Sequence, residues 1–300
     1  MRGRRGCAIL AGMSDNRSRE ERAADRARQA PPAPQPLPVP VLDSHTHLDI
    51  VGGDPSGQIA AAAAVGVDRL VQVGVDVPSS RWGVALAGEQ PAVVATVAVH
   101  PNEAPRLSSV ALNGLDEALR DIESLASHPR VRAVGETGLD YYRTGEDGRE
   151  AQEHSFRAHV AIAKRFGKAL VIHDRDAHAE VLRVLDDEGA PDRVVMHCFS
   201  GDAAFAAECV KRGFTLSFAG TVTFSSAGAL REAAAAAPLD AILVETDAPY
   251  LTPMPHRGRP NGSYLIPLTV RALAGVTGTD LATLCAAISD NGERVFGPWR

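Results

Sequence analysis

From Val41 onward, short runs of β-branched and apolar residues alternate with Ala-rich segments of helical period. The runs are Val41–Asp49, Arg69–Asp76, Ala92–Pro101, Val131–Asp140, Ala169–Ala177, Arg193–Gly201, Thr215–Gly220 and Ala241–Tyr250. Segments such as Gln152–Phe166, Glu180–Glu188 and Ala203–Arg212 lie between them and suit helices. Near-continuous apolar strands that alternate with helices fit a parallel sheet covered by helices. Eight such units in about 260 residues predict an α/β fold, a closed (β/α)8 TIM barrel. An open doubly wound sheet would place a glycine-rich phosphate loop after the first strand, and histidines stand there instead. Residues 1–40 are different. They are Arg-rich, then Pro-rich from Ala30 to Pro40, and carry no periodic apolar face. Such a stretch cannot bury enough surface to fold, so it is predicted to be a disordered tail before one barrel domain at 41–300.

The runs share a second feature: they start apolar and end on polar side chains able to bind metal. The first ends Asp43-Ser44-His45-Thr46-His47, the fourth on Glu136 and Asp140, the fifth on His173-Asp174-Arg175, the sixth on His197-Cys198 and the eighth on Glu245-Thr246-Asp247. Barrel active sites lie at the C-terminal ends of the strands. Side chains in a strand alternate between faces, so His45 and His47 point the same way, and His197 points inward if Cys198 points outward. Cys198 then reads as a small buried thiol. His45, His47, Glu136, His173, His197 and Asp247 together exceed the roughly three protein ligands of one catalytic ion. They suit two divalent ions bridged by a carboxylate. The mixed nitrogen and oxygen set accepts Mg, Mn, Zn or Co without choosing between them. Asp43 and Glu245 are predicted to accept hydrogen bonds from ligand histidine N–H groups.

Composition narrows the partners. The 300 residues are 45% hydrophobic, enough for a large core, and nothing approaches the length of a membrane span. The apolar stretch within Met1 to Met13 is too short for a signal peptide, and Met13 is a second candidate start. The four cysteines have no C-x-x-C spacing, which suggests a reducing, cytoplasmic location without a disulfide framework. Residues 1–40 hold eight Arg and four acidic residues, +4, whereas the remainder holds 23 basic and 33 acidic residues, −10. So acidic a body lacks the broad basic face that grips duplex DNA.

The ordered motifs also resemble those of the TatD-type deoxyribonucleases, in the amidohydrolase superfamily. The residues that carry the resemblance are Asp43-Ser44-His45-Thr46-His47-Leu48-Asp49, Val99-His100-Pro101, Val134 to Tyr142, His173-Asp174-Arg175-Asp176-Ala177, His197-Cys198-Phe199-Ser200-Gly201, Glu245 to Leu251 and Pro255-His256-Arg257-Gly258. They run in order from about Val41 to Phe296. The resemblance implies a metal-dependent barrel that hydrolyses DNA phosphodiesters. It implies His45, His47 and Asp247 on one ion, His173 and His197 on the other, and Glu136 between them. It also implies Asp247 as proton acceptor for the attacking water and His100 among the substrate contacts. Two stretches depart from the family pattern: Asn261-Gly262-Ser263 lacks the usual acidic or amide residue and proline, and Gly292 follows Asn291 in place of an aromatic or Ala.

Around the same face, Arg175, Arg257 and Arg259 are candidates to hold phosphate, and Tyr141, Tyr142 and Phe199 to stack on unpaired bases. The function expected is hydrolysis of DNA at single-stranded ends, with no membrane partner. A two-metal amidohydrolase or lactonase acting on a small molecule is the alternative, and a metal-binding scaffold the third reading. A carboxylated lysine on the fourth strand would mark the common amidase form; Glu136 stands on that strand instead.

Overall fold

The computed structural model describes residues 29–111 and 113–299. One parallel sheet runs in the order β1 to β8: Val41–Thr46, Val67–Val73, Val93–Val97, Val131–Asp140, Ala169–Arg175, Val194–Met196, Thr215–Phe218 and Ile242–Val244. β8 returns to β1. Thr46 bridges Ala248, the Asp247 N–H donates to the His45 carbonyl at 2.9 Å, and the His47 N–H donates to the Ala248 carbonyl at 3.0 Å. The ring thus closes, and the predicted (β/α)8 barrel is the observed fold.

Among the described residues the helices are α1 Leu48–Val51, α2 Pro55–Ala63, α3 Val77–Glu89, α4 Ala104–Val110, α5 Gly114–Ala126, α6 Glu146–Phe166, α7 His178–Glu188, α8 Ala203–Lys211, α9 Gly228–Ala236, α10 Ile266–Thr277 and α11 Leu281–Phe296. Their boundaries follow local chemistry. Asp76 caps α3 through Ser79 in a reciprocal box, with Pro78 in the first turn. α6 ends at Gly167, whose left-handed φ of 58° suits a residue without Cβ. The apolar faces of these helices and both faces of the strands form one core, with Leu42, Leu70, Leu170, Ile172 and Phe218 fully buried. No single described helix is long and apolar enough to cross a membrane.

Two boundaries differ from the sequence reading. The strands stop earlier than the apolar runs, most clearly at β6 and β8, which end at Met196 and Val244. His197 and Asp247 lie just beyond, where Cys198 and Asp247 adopt φ of 44° and 50°. The ladder gives way there to backbone that aims ligands inward, and non-glycine residues in this region are concentrated at functional sites. The second difference is at the N-terminus. Residues 29–40, expected to be part of a disordered tail, lie against the barrel. Leu37 is buried and its N–H donates to the Val65 carbonyl at 3.0 Å. Tyr264 Oη donates to the Pro31 carbonyl, and Arg271 to the Gln35 and Pro36 carbonyls. The strap's carbonyls are satisfied by side chains of the barrel, so it needs no periodic apolar face to be held. The rest of the expected tail lies outside the described residues.

Candidate metal centre

β4 carries the centre of the site. Gly135 and Gly138 press this strand against β5: a Cβ on Gly138 would come within 2.1 Å of the His173 carbonyl oxygen, and one on Gly135 within 2.5 Å of that of Val171. Glu136, between them, is buried, and its carboxylate meets five histidines from the ends of four other strands.

Each Glu136 oxygen has its own group of neighbours. Oε2 lies 3.4 Å from His45 Nε2 and 3.9 Å from His47 Nε2. Those two nitrogens are 3.3 Å apart, and Asp247 Oδ1 lies 3.8 Å and 3.5 Å from them. Oε1 lies 2.7 Å from His173 Nδ1, 3.3 Å from His197 Nε2 and 3.3 Å from His100 Nε2. The six predicted ligands therefore converge, and His100 joins them. Donor atoms that share one ion at about 2.1 Å sit roughly 3.4 Å apart at tetrahedral angles. The first group has about that spacing; the sets around Glu136 whose ligand atoms lie within 4.8 Å of one another are His45, Glu136 and His197, and His100, Glu136 and His173.

The outer nitrogens explain which inner ones face the centre. His47 Nδ1 lies 3.1 Å from the Val73 carbonyl, an acceptor only, so it carries the proton and Nε2 keeps a lone pair. His197 Nδ1 lies 2.9 Å from Glu245 Oε1 on the side away from Glu136. Imidazole nitrogens and carboxylate oxygens thus crowd one another, 2.7 to 3.9 Å apart, in a buried volume. Such an arrangement needs cations, whether protons or metal ions. The titration behaviour agrees. Against the opposing effect of burial, Glu245 and Glu136 raise the His197 pKa well above its ordinary value. His173 is raised to about 9, with burial again opposed, by Asp140 and Glu136. Glu136 is held well below the usual carboxylate range by His100 and His197 despite burial. The donor set fits divalent ions.

Asp140 was not singled out from the sequence, although it ended the fourth run. Its Oδ2 lies 3.2 Å from His173 Nε2 and accepts from Asn102 Nδ2 at 2.9 Å. It orients His173 as Glu245 orients His197, by the histidine–carboxylate pairing common around metals. Asp43 behaves differently from its predicted role. It accepts from the His45 and Thr246 backbone N–H groups and from Thr246 Oγ1, and meets no histidine ring. Burial raises its pKa to about 7. Cys198 is half-buried, its thiol pKa pushed well up by burial, and its N–H donates to Glu245 at 2.9 Å.

The predicted rim residues separate. The Arg175 guanidinium lies 3.9 Å from the centroid of the Tyr142 ring, and among the described residues it makes no ion pair. Arg257 stacks 4.5 Å from the Phe224 centroid. Arg259, by contrast, donates to the Gln29 and Ala30 carbonyls, both at 2.9 Å, and so anchors the strap. Tyr141 packs on the core with Arg149 4.1 Å from its ring centroid. Phe199 is buried beside Phe205 and Phe218. Asn261, in the stretch that departs from the family pattern, donates to the Thr246 carbonyl at 3.0 Å and so holds the loop after β8.

Comparison with known proteins places this geometry. The family model described as TatD related DNase matches residues 42–297. A protein of Mycobacterium tuberculosis, named as an uncharacterized metal-dependent hydrolase TatD, is 45% identical over 86% of this chain and 98% of its own. A Citrobacter rodentium protein named 3'-5' ssDNA/RNA exonuclease TatD is 36% identical over 80% of this chain and 90% of its own. The crystal structure of a TatD homologue from Escherichia coli superposes with a TM-score of 0.77 at 25% identity, covering 85% of this chain and 97% of that one.

Proposed function

Because the chain belongs to the TatD family of metal-dependent hydrolases, we propose that it is a phosphodiesterase that removes nucleotides from single-stranded DNA ends. The observation that carries this reading is the double sharing of Glu136, with His45 and His47 at one carboxylate oxygen and His173 and His197 at the other. That is the arrangement expected for a bridging ligand between two divalent ions. Bound there, such ions supply Lewis acidity that lowers the pKa of water and offsets charge on non-bridging phosphate oxygens.

The remaining steps belong to side chains. Asp247 is the more open of the two ligand carboxylates, with 16% of its side chain exposed against 5% for Glu136. It takes the proton of the attacking water. His100 Nε2, also at the opening, donates to a phosphate oxygen, since its Nδ1 accepts from the Asn102 N–H at 3.0 Å. Arg175, without a carboxylate partner among the described residues, holds the neighbouring phosphate. A site at the strand ends of a body of charge −10 favours a strand end over intact duplex. The name of the Citrobacter rodentium relative supports the same substrate class.

The test compares a linear single strand, its circular form and a blunt duplex, using protein loaded with Mn²⁺, Mg²⁺, Zn²⁺ or Co²⁺. Stepwise shortening of the linear strand alone, abolished by chelator, is the expected result. Equal cutting of circles and duplexes would remove the end-directed reading. Turnover of an ester or lactone with none of the strands would replace it by the small-molecule one.

A further inference from the structure

Four of the five large apolar side chains exposed among the described residues sit on loops at the catalytic face: Ile50, Tyr142, Tyr250 and Met254. The fifth, Val110, ends the short helix α4 in the connection after β3. They do not form one patch. Tyr142 follows β4 and carries Arg175, at the end of β5, over its ring. Ile50 follows β1 in the short helix α1, and Tyr250 follows β8. In a closed ring of eight strands, the β8–β1 seam lies opposite the β4–β5 pair. The metal centre lies between the two sides, because its ligands come from both.

The Tyr250 side is built firmly. The two loops that form it are joined by the bond from the His47 N–H to the Ala248 carbonyl. The Tyr250 N–H donates to the Asp247 carbonyl at 2.8 Å, and its carbonyl accepts from Asn261 Nδ2. The backbone is therefore pinned three residues after a metal ligand, while the residue stays 54% exposed. A large aromatic on a fixed backbone, left in water beside a polar centre, is a surface awaiting an amphipathic partner.

The geometry points to a second base-stacking position at Tyr250, across the barrel from the Arg175–Tyr142 pair, so that the cleaved phosphodiester lies between two stacked nucleobases. This rests on the nuclease reading and adds a requirement to it: a base on each side of the scissile bond. An unpaired base has the required flat apolar face, and the phosphate joining two such bases would fall at the metal ligands between the platforms. Duplex DNA keeps its bases stacked on one another and cannot offer them to either side.

The test is a cycle between protein and substrate. Single strands are prepared with an abasic nucleotide at the terminal or at the penultimate position, and each is hydrolysed by wild type, Tyr250→Ala and Tyr142→Ala. Loss of one stacked base costs on the order of tenfold in kcat/KM. For one of the two abasic strands, Tyr250→Ala should add no further loss; for the other, Tyr142→Ala should add none. Tyr250→Phe should restore the wild-type ratio between intact and abasic strands, because stacking does not use the hydroxyl. Losses that multiply in every combination would overturn the proposal. Binding decides it independently of turnover. In chelator, the affinity for a fluorescein-labelled single strand, read by anisotropy, should fall about tenfold in Tyr250→Ala and return in Tyr250→Phe. Unchanged affinity would sink the platform even if the strand is hydrolysed. A wild type that hydrolyses no strand with any metal would sink the nuclease reading and leave the anisotropy measurement to judge the platform.

Discussion

The two ends of this barrel are both rich in polar side chains, and they satisfy them in opposite ways. At the ends where β4, β5 and β6 begin, a cation precedes each strand: Arg130, Lys168 and Arg193. Every one is matched to backbone carbonyls. Arg130 donates to Ala87 at 2.9 Å and Pro91 at 3.0 Å, and also to Val93 and Trp299; Lys168 donates to Val131 at 2.6 Å; Arg193 donates to Val295 at 2.9 Å and Gly167 at 2.5 Å. Where the strands end, candidate metal ligands meet one another: five imidazole rings crowd two carboxylates within 4 Å. Matched polar groups hold a fold together. A surplus of one sign calls for something the chain does not supply. Polarity at a strand terminus is thus poorly informative by itself; the balance of donors and acceptors separates scaffold from site.

The strongest way to break this contrast is at Glu136. Glu136→Ala removes the oxygen pair that both histidine groups share, and should lower kcat/KM on the order of a thousandfold, with metal content falling in parallel. Arg175→Ala removes at most one phosphate contact and should cost about tenfold. Steady-state kinetics with metal analysis of both variants decides this. Similar losses for the two would place the centre elsewhere.

A smaller effect is expected at the carboxylates behind the histidines. Asp140→Asn keeps the size of the group and an oxygen for Asn102, but no longer offers His173 a charged acceptor. Metal affinity or turnover should fall by about 10- to 100-fold. Titration of the metal-free variant with Mn²⁺ reads the affinity directly, and wild-type affinity would make Asp140 a mere packing group.

Asp140 also shows where the sequence stops being legible. Eight apolar runs with polar ends announce the barrel and the candidate ligands that converge in it, because strand periodicity and strand-end chemistry are local. What each polar group touches is not local. Asp43 and Glu245 look alike in sequence, one before a serine and one before a threonine. The fold turns one toward the Thr246 backbone, 203 residues away, and the other toward the His197 ring. Arg257 and Arg259 are two residues apart, yet one stacks on Phe224 at the mouth and the other holds Gln29, 230 residues away. Residues 29–40 looked like tail because their restraint comes from Arg259, Tyr264 and Arg271, which no period in the segment itself announces.

At the opposite end the prediction concerns stability. Arg130→Met leaves the Ala87, Val93 and Trp299 carbonyls to find other donors, and should destabilise by about 2 kcal/mol. kcat of the folded enzyme should stay at the wild-type value, since no ligand is touched. Denaturant melts and active-site-normalised kinetics separate the two. A change in kcat without a change in stability would contradict the division between the ends.

The smallest effect sharpens the contrast from within the catalytic face. His159, on α6, is buried there and yet belongs with the matched groups. Its Nδ1 donates to the Ser155 carbonyl at 2.6 Å, and its Nε2 accepts from the Val99 N–H at 3.0 Å, one residue before His100. One proton and one lone pair are both used, so the ring is neutral, and burial lowers its pKa from the ordinary 6.5 to about 4. The unfolded chain binds this proton at the higher pH. The contribution of the neutral ring is therefore complete above pH 6.5 and is lost as pH falls toward 4, by about 1.4 kcal/mol per unit within that window. His159→Gln keeps an oxygen for the Val99 N–H and does not titrate. It should be less stable than wild type at pH 7, and that deficit should shrink by about 1.4 kcal/mol between pH 6 and pH 5. Taking the difference between the two proteins at each pH cancels every other titrating group, Asp43 included. Stability curves that run parallel from pH 7 to pH 4.5 would mean that His159 takes up its proton within the fold, and that it belongs with the unmatched groups of the metal centre.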